Sequence, residues 1–154
     1  MTNEFQREKS MFEKILYPTD FSNVSMKACD VIKQLREAGT QEVVILHVID
    51  SRFFDAMAWY ITKNMKEIEK DLEREAREQI TTIAGNLEAE GLKVKVRIAT
   101  GIPHSEILRI EDEEKVSAVI IGSHGVSNIQ EMFMGSVSEK VIRRAKSLVL
   151  VVKR

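Results

Sequence analysis

A glycine-rich stretch near the C-terminal end of the chain carries the residues that could most readily bind a ligand. It covers residues 122–140 and has the sequence GSHGVSNIQEMFMGSVSEK. Glycines let a backbone adopt positive φ and approach a ligand closely, and helix N-termini bind anions through free N–H groups. Gly135 precedes a predicted helix start at Ser136, and Ser136 and Ser138 add hydroxyl donors. This pattern fits a phosphate site that needs no lysine.

A simpler interpretation of the same stretch involves no ligand. Ser136 to Glu139 reads SVSE, which matches a capping box in which the serine hydroxyl satisfies amides of its own helix. Two glycines separated by two residues are also a weak motif when taken alone. The residues by themselves therefore leave both the phosphate-binding and the capping interpretation open.

Composition limits the classes of protein to consider. A chain of 154 residues with 44% hydrophobic and 31% charged residues indicates one globular domain. A net charge of −1 provides no long-range field that would attract nucleic acid or an anionic membrane, and no apolar run approaches the ~20 residues of a bilayer span. The polar N-terminus does not resemble a signal peptide, and the single cysteine, Cys29, cannot form an internal disulfide. We therefore expect a cytoplasmic protein without nucleic-acid or membrane partners.

Strand and helix patterns alternate along the chain. Apolar runs predict five strands, at 14–19, 42–49, 93–99, 117–123 and 147–153. Helical spacing predicts helices at 22–38, from Met65 to near Gly91, from Pro103 onward, and at 136–145. This βαβαβαβαβ order predicts a parallel sheet with helices on both faces and right-handed crossovers. Residues 12–154 would form this domain.

Two segments follow no clear pattern. Residues 1–11 are predicted to be a mobile tail, because no apolar pattern anchors them. Residues 50–64 are predicted to be a loop leading into the following helix. Phe53, Phe54 and Trp59 in this segment could cover a site or form a partner surface, and the sequence does not distinguish these roles.

Ligands of open parallel sheets bind at the carboxyl ends of strands, where the strand order reverses. Pro18, Thr19 and Asp20 follow the first predicted strand, and the GSHG segment follows the fourth. The two loops would flank one crevice if these strands are neighbours, but the sequence alone does not fix that order.

The remaining polar residues suggest supporting roles. His124 is predicted to have a loop or ligand-contact role, His47 to lie in the core or the crevice, and His104 to be structural. The three histidines are too scattered to predict a zinc site. The EDEEK run at residues 111–115 is predicted to be a solvated helix end.

The chain resembles the universal stress protein family, in particular its ATP-binding branch, over residues 12–154. The resemblance rests on KILYPTDFS, LHVID, GIPHSEI and the C-terminal segment that begins IIGSHGV. That last segment fits the ATP signature of the family, a glycine, two residues, a glycine, nine residues, and then a glycine followed by serine or threonine. The matching positions are Gly122, Gly125, Gly135 and Ser136.

The resemblance implies an adenine nucleotide alpha hydrolase-like fold, an open doubly wound five-stranded parallel sheet of order 3-2-1-4-5. It implies ATP at the switch between strands 1 and 4, with adenine and ribose near Pro18, Thr19, Asp20 and Val48. The segment that would wrap the ribose and phosphates comprises Gly122, Ser123, His124, Gly125, Val126, Ser127 and Asn128. After Gly135, the residues Ser136, Val137 and Ser138 would hold the β- and γ-phosphates. Mg²⁺ or Mn²⁺ would be carried mainly by phosphates and water. Asp20 would bond either a ribose hydroxyl or the metal.

One position departs from the pattern of the family. Many ATP-binding relatives have Lys or Arg directly after the second glycine, where this chain has Val126. One charge-assisted phosphate contact is therefore missing, which leaves the preference among ATP, ADP and AMP open. The resemblance implies a nucleotide-dependent signalling or stress-response switch. The alternatives are a slow ATPase and a nucleotide-free interaction module, and the chain lacks the lysine of a Walker loop.

The sequence of the last predicted strand indicates that it pairs with another chain. In the order 3-2-1-4-5 it lies at an edge of the sheet, yet its sequence LVLVV is entirely apolar. Because proteins cover exposed apolar edges, we expect a homodimer through residues 148–152.

Overall fold

The computed structural model describes residues 10–58, 64–125 and 134–153. The strands of the sheet are β1 (Lys14–Pro18), β2 (Glu42–Asp50), β3 (Lys93–Gly101), β4 (Ala118–Gly122) and β5 (Leu148–Val152). The helices in these ranges are α1 (Asn23–Leu35), α2 (Ser51–Met57), α3 (Met65–Ala89), α4 (Pro103–Glu114) and α5 (Ser136–Arg144). Within the same ranges, none of these helices combines the length and apolar character needed to cross a membrane.

All five strands are parallel, and their order is β3-β2-β1-β4-β5. Ile15 in β1 lies opposite Val43 of β2 on one side and Ala118 of β4 on the other. The strand order therefore reverses at β1, and the predicted doubly wound fold is confirmed. The loops after β1 and β4 leave the same edge of the sheet on neighbouring strands, which the sequence could not establish.

Two apolar layers cover the two faces of the sheet. Because strand side chains alternate between faces, Ile15 and Tyr17 pack toward α1 and α3, whereas Leu16 packs toward α4 and α5. The run Val43–Leu46 in β2 is fully buried, as expected for a central parallel strand. Cys29 is buried in the α1 layer, and this burial raises the pKa of its thiol.

Local signals place most helix ends. Ser22 caps α1 as predicted, and its hydroxyl accepts the N–H of Ser25 at 3.3 Å. The α1 helix ends at Leu35, earlier than the predicted residue 38, and the chain turns through Gly39 at φ +99°. Gly91 follows α3 at φ +83°, so both glycines occupy the left-handed conformation that ends a helix.

The prediction of a loop after β2 was wrong for residues 51–57. These residues form α2, which begins directly after the strand. The Asp50 side chain caps it by accepting the N–H of Arg52 at 3.0 Å. Phe53 and Phe54 lie on this helix with their rings edge to face, whereas Trp59 lies outside the described residues.

The prediction that residues 111–115 form a solvated helix end was wrong for Glu111 and Glu114, whose side chains are buried, and correct for the three exposed residues between and after them. Glu111 accepts the backbone N–H of Lys146 at 2.8 Å and that of Ser147 at 2.6 Å. This carboxylate therefore fastens the end of α4 to the start of β5.

Glu114 accepts hydrogen bonds from three positively charged side chains at the amino-terminal edge of the sheet. Lys95 donates to it at 2.9 Å, Lys14 at 3.2 Å, and Arg97 at 2.5 Å. Burial alone would raise the pKa of Glu114, but these hydrogen bonds outweigh it and hold the pKa at about 2. The carboxylate therefore remains charged and ties α4 to β1 and β3.

We predict that Glu114→Gln lowers the free energy of unfolding by about 1–3 kcal/mol at pH 7, because it weakens several charged hydrogen bonds at a buried position. The control is Glu113→Gln on the same turn, whose exposed carboxylate pairs with Arg97 and Arg109. That substitution should have the smaller effect, since exposed ion pairs contribute little. Urea denaturation of both variants measures the difference, and equal effects would contradict the interpretation.

Candidate functional site

A cavity of about 570 Å³ opens at the carboxyl edge of the sheet, where β1, β2 and β4 end. The predicted site residues among those that line it are Pro18, Thr19, Asp20, Val48, Gly122, His124, Gly125, Gly135, Ser136, Val137 and Ser138. Ser123 is buried and is not among the lining residues. Val126, Ser127 and Asn128 lie outside the described residues.

Sequence reasoning missed part of the lining. The additional residues are Ser25, Leu46, Asp50, Arg52, Pro103, Ile107, Ile121 and Met134. Asp50 and Arg52 could have been found, because they are charged residues at the carboxyl end of a buried strand. The residues from α1 and α4 carried no such signal, since only the folded chain brings those helices to the cavity.

The loop after β1 is held by the backbone and hydroxyl of Thr19. Its N–H donates to the carbonyl of Leu46 at 2.9 Å, and its hydroxyl lies 3.0 Å from that of Ser25. The same hydroxyl oxygen accepts the N–H of Phe21 at 3.1 Å. Thr19 is buried, so these contacts attach the loop to the interior of the protein.

Phe21 has a strained backbone, with φ at +63°. Non-glycine residues seldom adopt this conformation, and it persists where surrounding contacts enforce it. Here the ring of Phe21 stacks on His47 with the centroids 4.6 Å apart. The strain lies directly after Asp20, at the edge of the cavity.

His47 supports this loop from the neighbouring strand. Its Nδ1 lies 2.9 Å from the carbonyl oxygen of Thr19, which can only accept, so Nδ1 carries the proton. Burial lowers the pKa of His47, and the ring is therefore neutral at pH 7. His47 therefore lies beside the crevice but does not line the cavity. His104 does not line it either.

Asp20 and Gly125 bring the two loops into close contact. Oδ1 of Asp20 accepts the N–H of Ser22 at 3.1 Å. A Cβ at Gly125 would lie 2.7 Å from Oδ2 of Asp20, which is shorter than the contacts that Cβ atoms make in proteins. Glycine at position 125 therefore makes room for the carboxylate of the opposite loop.

The other two signature glycines also stand at crowded positions. A Cβ at Gly122 would lie 3.1 Å from a methyl carbon of Val24 and 3.2 Å from the amide nitrogen of Ser25, in helix α1. A Cβ at Gly135 would lie 3.2 Å from the carbonyl oxygen of Ser123. None of the three has positive φ, so their backbones do not need the conformational freedom of glycine. Each position is crowded, so a side chain there would force its neighbours to shift.

Helix α5 begins at the cavity without a side-chain cap. Its N-cap residue is Gly135, and Ser136 is the first helical residue. Of the two interpretations left open, the capping box is therefore wrong, and the carboxylate of Glu139 pairs with Arg143 instead. The helix presents its first-turn amides and partial positive charge where an anion could bind.

The hydroxyl of Ser138 is used within the protein. It lies 2.9 Å from the carbonyl oxygen of Ser123 and 2.9 Å from that of Gly135. The N–H of Gly135 donates to the same Ser123 carbonyl at 2.8 Å. Ser138 therefore holds the start of α5 against the end of β4, whereas the side chain of Ser136 is exposed.

His124 lies next to the contact between β4 and α5. Its Nδ1 is 2.7 Å from the hydroxyl of Ser123. Its Nε2 is buried and has no hydrogen-bond partner among the residues that the structure describes. The Ser123 hydroxyl therefore orients a ring that lines the cavity.

A parallel sheet with a cavity at its point of reversal is typical of a doubly wound α/β domain, whose ligands bind at the strand ends. Residues 11–153 match the model of the universal stress protein family, and the chain belongs to that family. It is 40% identical over 156 residues to universal stress protein MJ0577 of Methanocaldococcus jannaschii, covering 94% of this chain and 96% of the relative. The solved structure of MJ0577 superposes with a TM-score of 0.84 at 42% identity, covering 94% of this chain and 97% of that one.

Two more distant structures share the fold and contain nucleotides. The universal stress protein from Archaeoglobus fulgidus in complex with dAMP is 21% identical, with a TM-score of 0.62 and coverage of 93% of this chain and 99% of its own. A universal stress protein in complex with cAMP is 24% identical, with a TM-score of 0.60 and coverage of 92% and 97%.

We predict that His47→Asn makes stability less dependent on pH. In the wild type, the lowered pKa of His47 favours the neutral folded form, so this stability is present above about pH 6.5 and is lost as pH falls. Asn can still donate to the Thr19 carbonyl but does not titrate. Urea denaturation at pH 7.5 and pH 5.5 should show a smaller loss for the variant. Both proteins keep His104, so parallel losses would contradict this role of His47.

Proposed function

We propose that this protein binds an adenine nucleotide, ATP foremost, and acts as a nucleotide-dependent switch in the stress response, in the cytoplasm. The observation that carries the proposal is the uncapped start of α5 at the cavity, preceded by a glycine that stands at a crowded position. Such a helix start supplies N–H donors to a phosphate chain without a lysine. The cavity, at about 570 Å³, is within the range of small-molecule sites.

In this proposal the two ends of the cavity have separate roles. The amides of Ser136, Val137 and Ser138 would bind the β- and γ-phosphates, and the loop from Gly122 would enclose the ribose and α-phosphate. The adenine and ribose would contact Pro18, Thr19, Asp20 and Val48 beside the ends of β1 and β2. The complexes of two relatives with dAMP and cAMP support adenine nucleotides as the ligand class of this fold.

A divalent cation would accompany a triphosphate. Among the described residues, no group of three or more His, Cys, Asp or Glu side chains could hold a metal ion. We therefore propose that phosphates and water carry Mg²⁺ or Mn²⁺, since Mg²⁺ commonly keeps most of its water ligands. Asp20 is placed in the lining where it could bond either this cation or a ribose hydroxyl.

The proposal predicts that the native protein binds ATP, ADP or AMP. Purified protein should release a nucleotide on denaturation, identifiable by chromatography and mass spectrometry. Calorimetry with each nucleotide, with and without Mg²⁺, then gives the order of affinity. Absence of binding by the folded wild type would reject the proposed function.

Gly135→Asp should abolish nucleotide binding, with an affinity loss of about 100-fold or more, because a carboxylate would occupy the anion position and repel phosphate. The fold should persist, since Asp is a favourable N-cap residue at the observed φ of −62°. Gly135→Ala is the matched control, because it adds the crowded Cβ without the charge. Equal losses in both variants would attribute the effect to crowding.

We further propose a homodimer through β5. This strand is an edge of the sheet, and Leu148 at its start is 44% exposed. Pairing with a second copy would cover the apolar edge.

Val151→Lys should shift the protein toward monomers in sedimentation velocity. Because Val151 also packs on the α4–α5 layer, Leu148→Lys serves as a second variant that alters an already exposed side chain. Circular dichroism should confirm that both remain folded. A dimer that survives both substitutions would exclude this interface.

A further inference from the structure

Arg52 is a positively charged residue in the wall of the cavity, and it is not part of the family signature. It lies in the first turn of α2, directly after β2, and lines the cavity together with Asp50. Among the lining residues that the structure describes, it is the only lysine or arginine. Val48, the residue proposed to lie near the adenine, belongs to the same strand end.

Asp50 fixes the orientation of the Arg52 guanidinium. Nε of Arg52 donates to Oδ1 of Asp50 at 2.8 Å, and Nη2 donates to Oδ2 at 2.5 Å. Oδ1 also accepts the backbone N–H of Arg52 as the cap of α2. The hydrogen bonds from Arg52 keep the pKa of Asp50 below its usual value, so the carboxylate is charged at pH 7. One edge of the guanidinium is therefore occupied, while the side chain is 60% exposed and can offer a planar face to a ligand.

The sheet order determines which end of a nucleotide would meet Arg52. The strands β2 and β4 flank β1, so their ends are separated by two strand spacings, roughly 10 Å. The start of α5 is fastened to the β4 side through the carbonyl of Ser123. A nucleotide with its phosphates at α5 would therefore have its base beside the end of β2, next to Arg52.

We infer that Arg52 lays its guanidinium against the face of the purine base, and that Asp50 is the residue that positions it. A planar cation held at one edge is suited to this contact, because guanidinium groups stack on aromatic rings. This inference rests on the proposed nucleotide function. It assigns Arg52 to the base end, so its contribution does not depend on the number of phosphates.

The test compares adenosine, AMP and Mg²⁺-ATP by calorimetry at constant ionic strength. Arg52→Ala should weaken the binding of all three ligands by a similar factor, about five- to tenfold. This factor lies between exposed and fully desolvated cation–π contacts, because the Arg52 side chain is partly exposed. Arg52→Lys should restore only part of the affinity, because an ammonium keeps the attraction to the ring face but not the planar stacking. Arg74→Ala is the control, since Arg74 forms an exposed pair with Asp71 on α3 and does not line the cavity.

Asp50→Asn tests the positioning role separately. Asn remains a good cap for α2 but loses the ionic fork to Arg52, so thermal stability should be retained while affinity for all three ligands falls by about two- to fivefold.

Three results would overturn the inference while leaving nucleotide binding intact. They are an Arg52→Ala loss that increases with phosphate number, full rescue by lysine, and no loss at all. A wild type that binds none of the three ligands would instead reject the proposed function, and this inference with it.

Discussion

The carbonyl oxygen of Ser123 is the contact on which the site geometry depends. It accepts the N–H of Gly135 at 2.8 Å and lies 2.9 Å from the hydroxyl of Ser138, while the N–H of Ser123 donates to Val152 at 2.8 Å. The ends of β4 and β5 and the start of α5 therefore meet at one residue. Since Ser138 is engaged there and Gly135 has no side chain, the first turn of α5 reaches the cavity uncapped, as anion binding requires.

Close packing, rather than unusual backbone angles, explains the signature glycines. Gly122 lies against α1, Gly125 against the carboxylate of Asp20, and Gly135 against Ser123. Packing against neighbouring groups therefore favours the same residue type that the signature contains. The strained conformation is at Phe21 instead, where stacking on His47 and the Thr19 hydroxyl enforce it. Strain of this kind clusters where a backbone is held in position for a function.

The opposite edge of the sheet determines how α4 approaches the cavity. Glu111 and Glu114 fasten the end of this helix to β5 and to the first residues of β1 and β3. The start of the same helix contributes Pro103 and Ile107 to the cavity wall. One helix therefore connects the charge pairing at one edge of the sheet with the cavity at the other.

The sequence by itself determined the alternation of strands and helices, the parallel sheet, the Ser22 cap and the phosphate candidate at Gly135. These follow from periodicity and short-range chemistry, which neighbouring residues specify. The strand order came from the family resemblance, and the structure confirmed it. Only the tertiary structure decided that Glu111 and Glu114 are buried, that Ser136 caps nothing, and that Asp50 and Arg52 line the cavity. Each of these depends on groups from distant elements meeting in space, which no local pattern encodes.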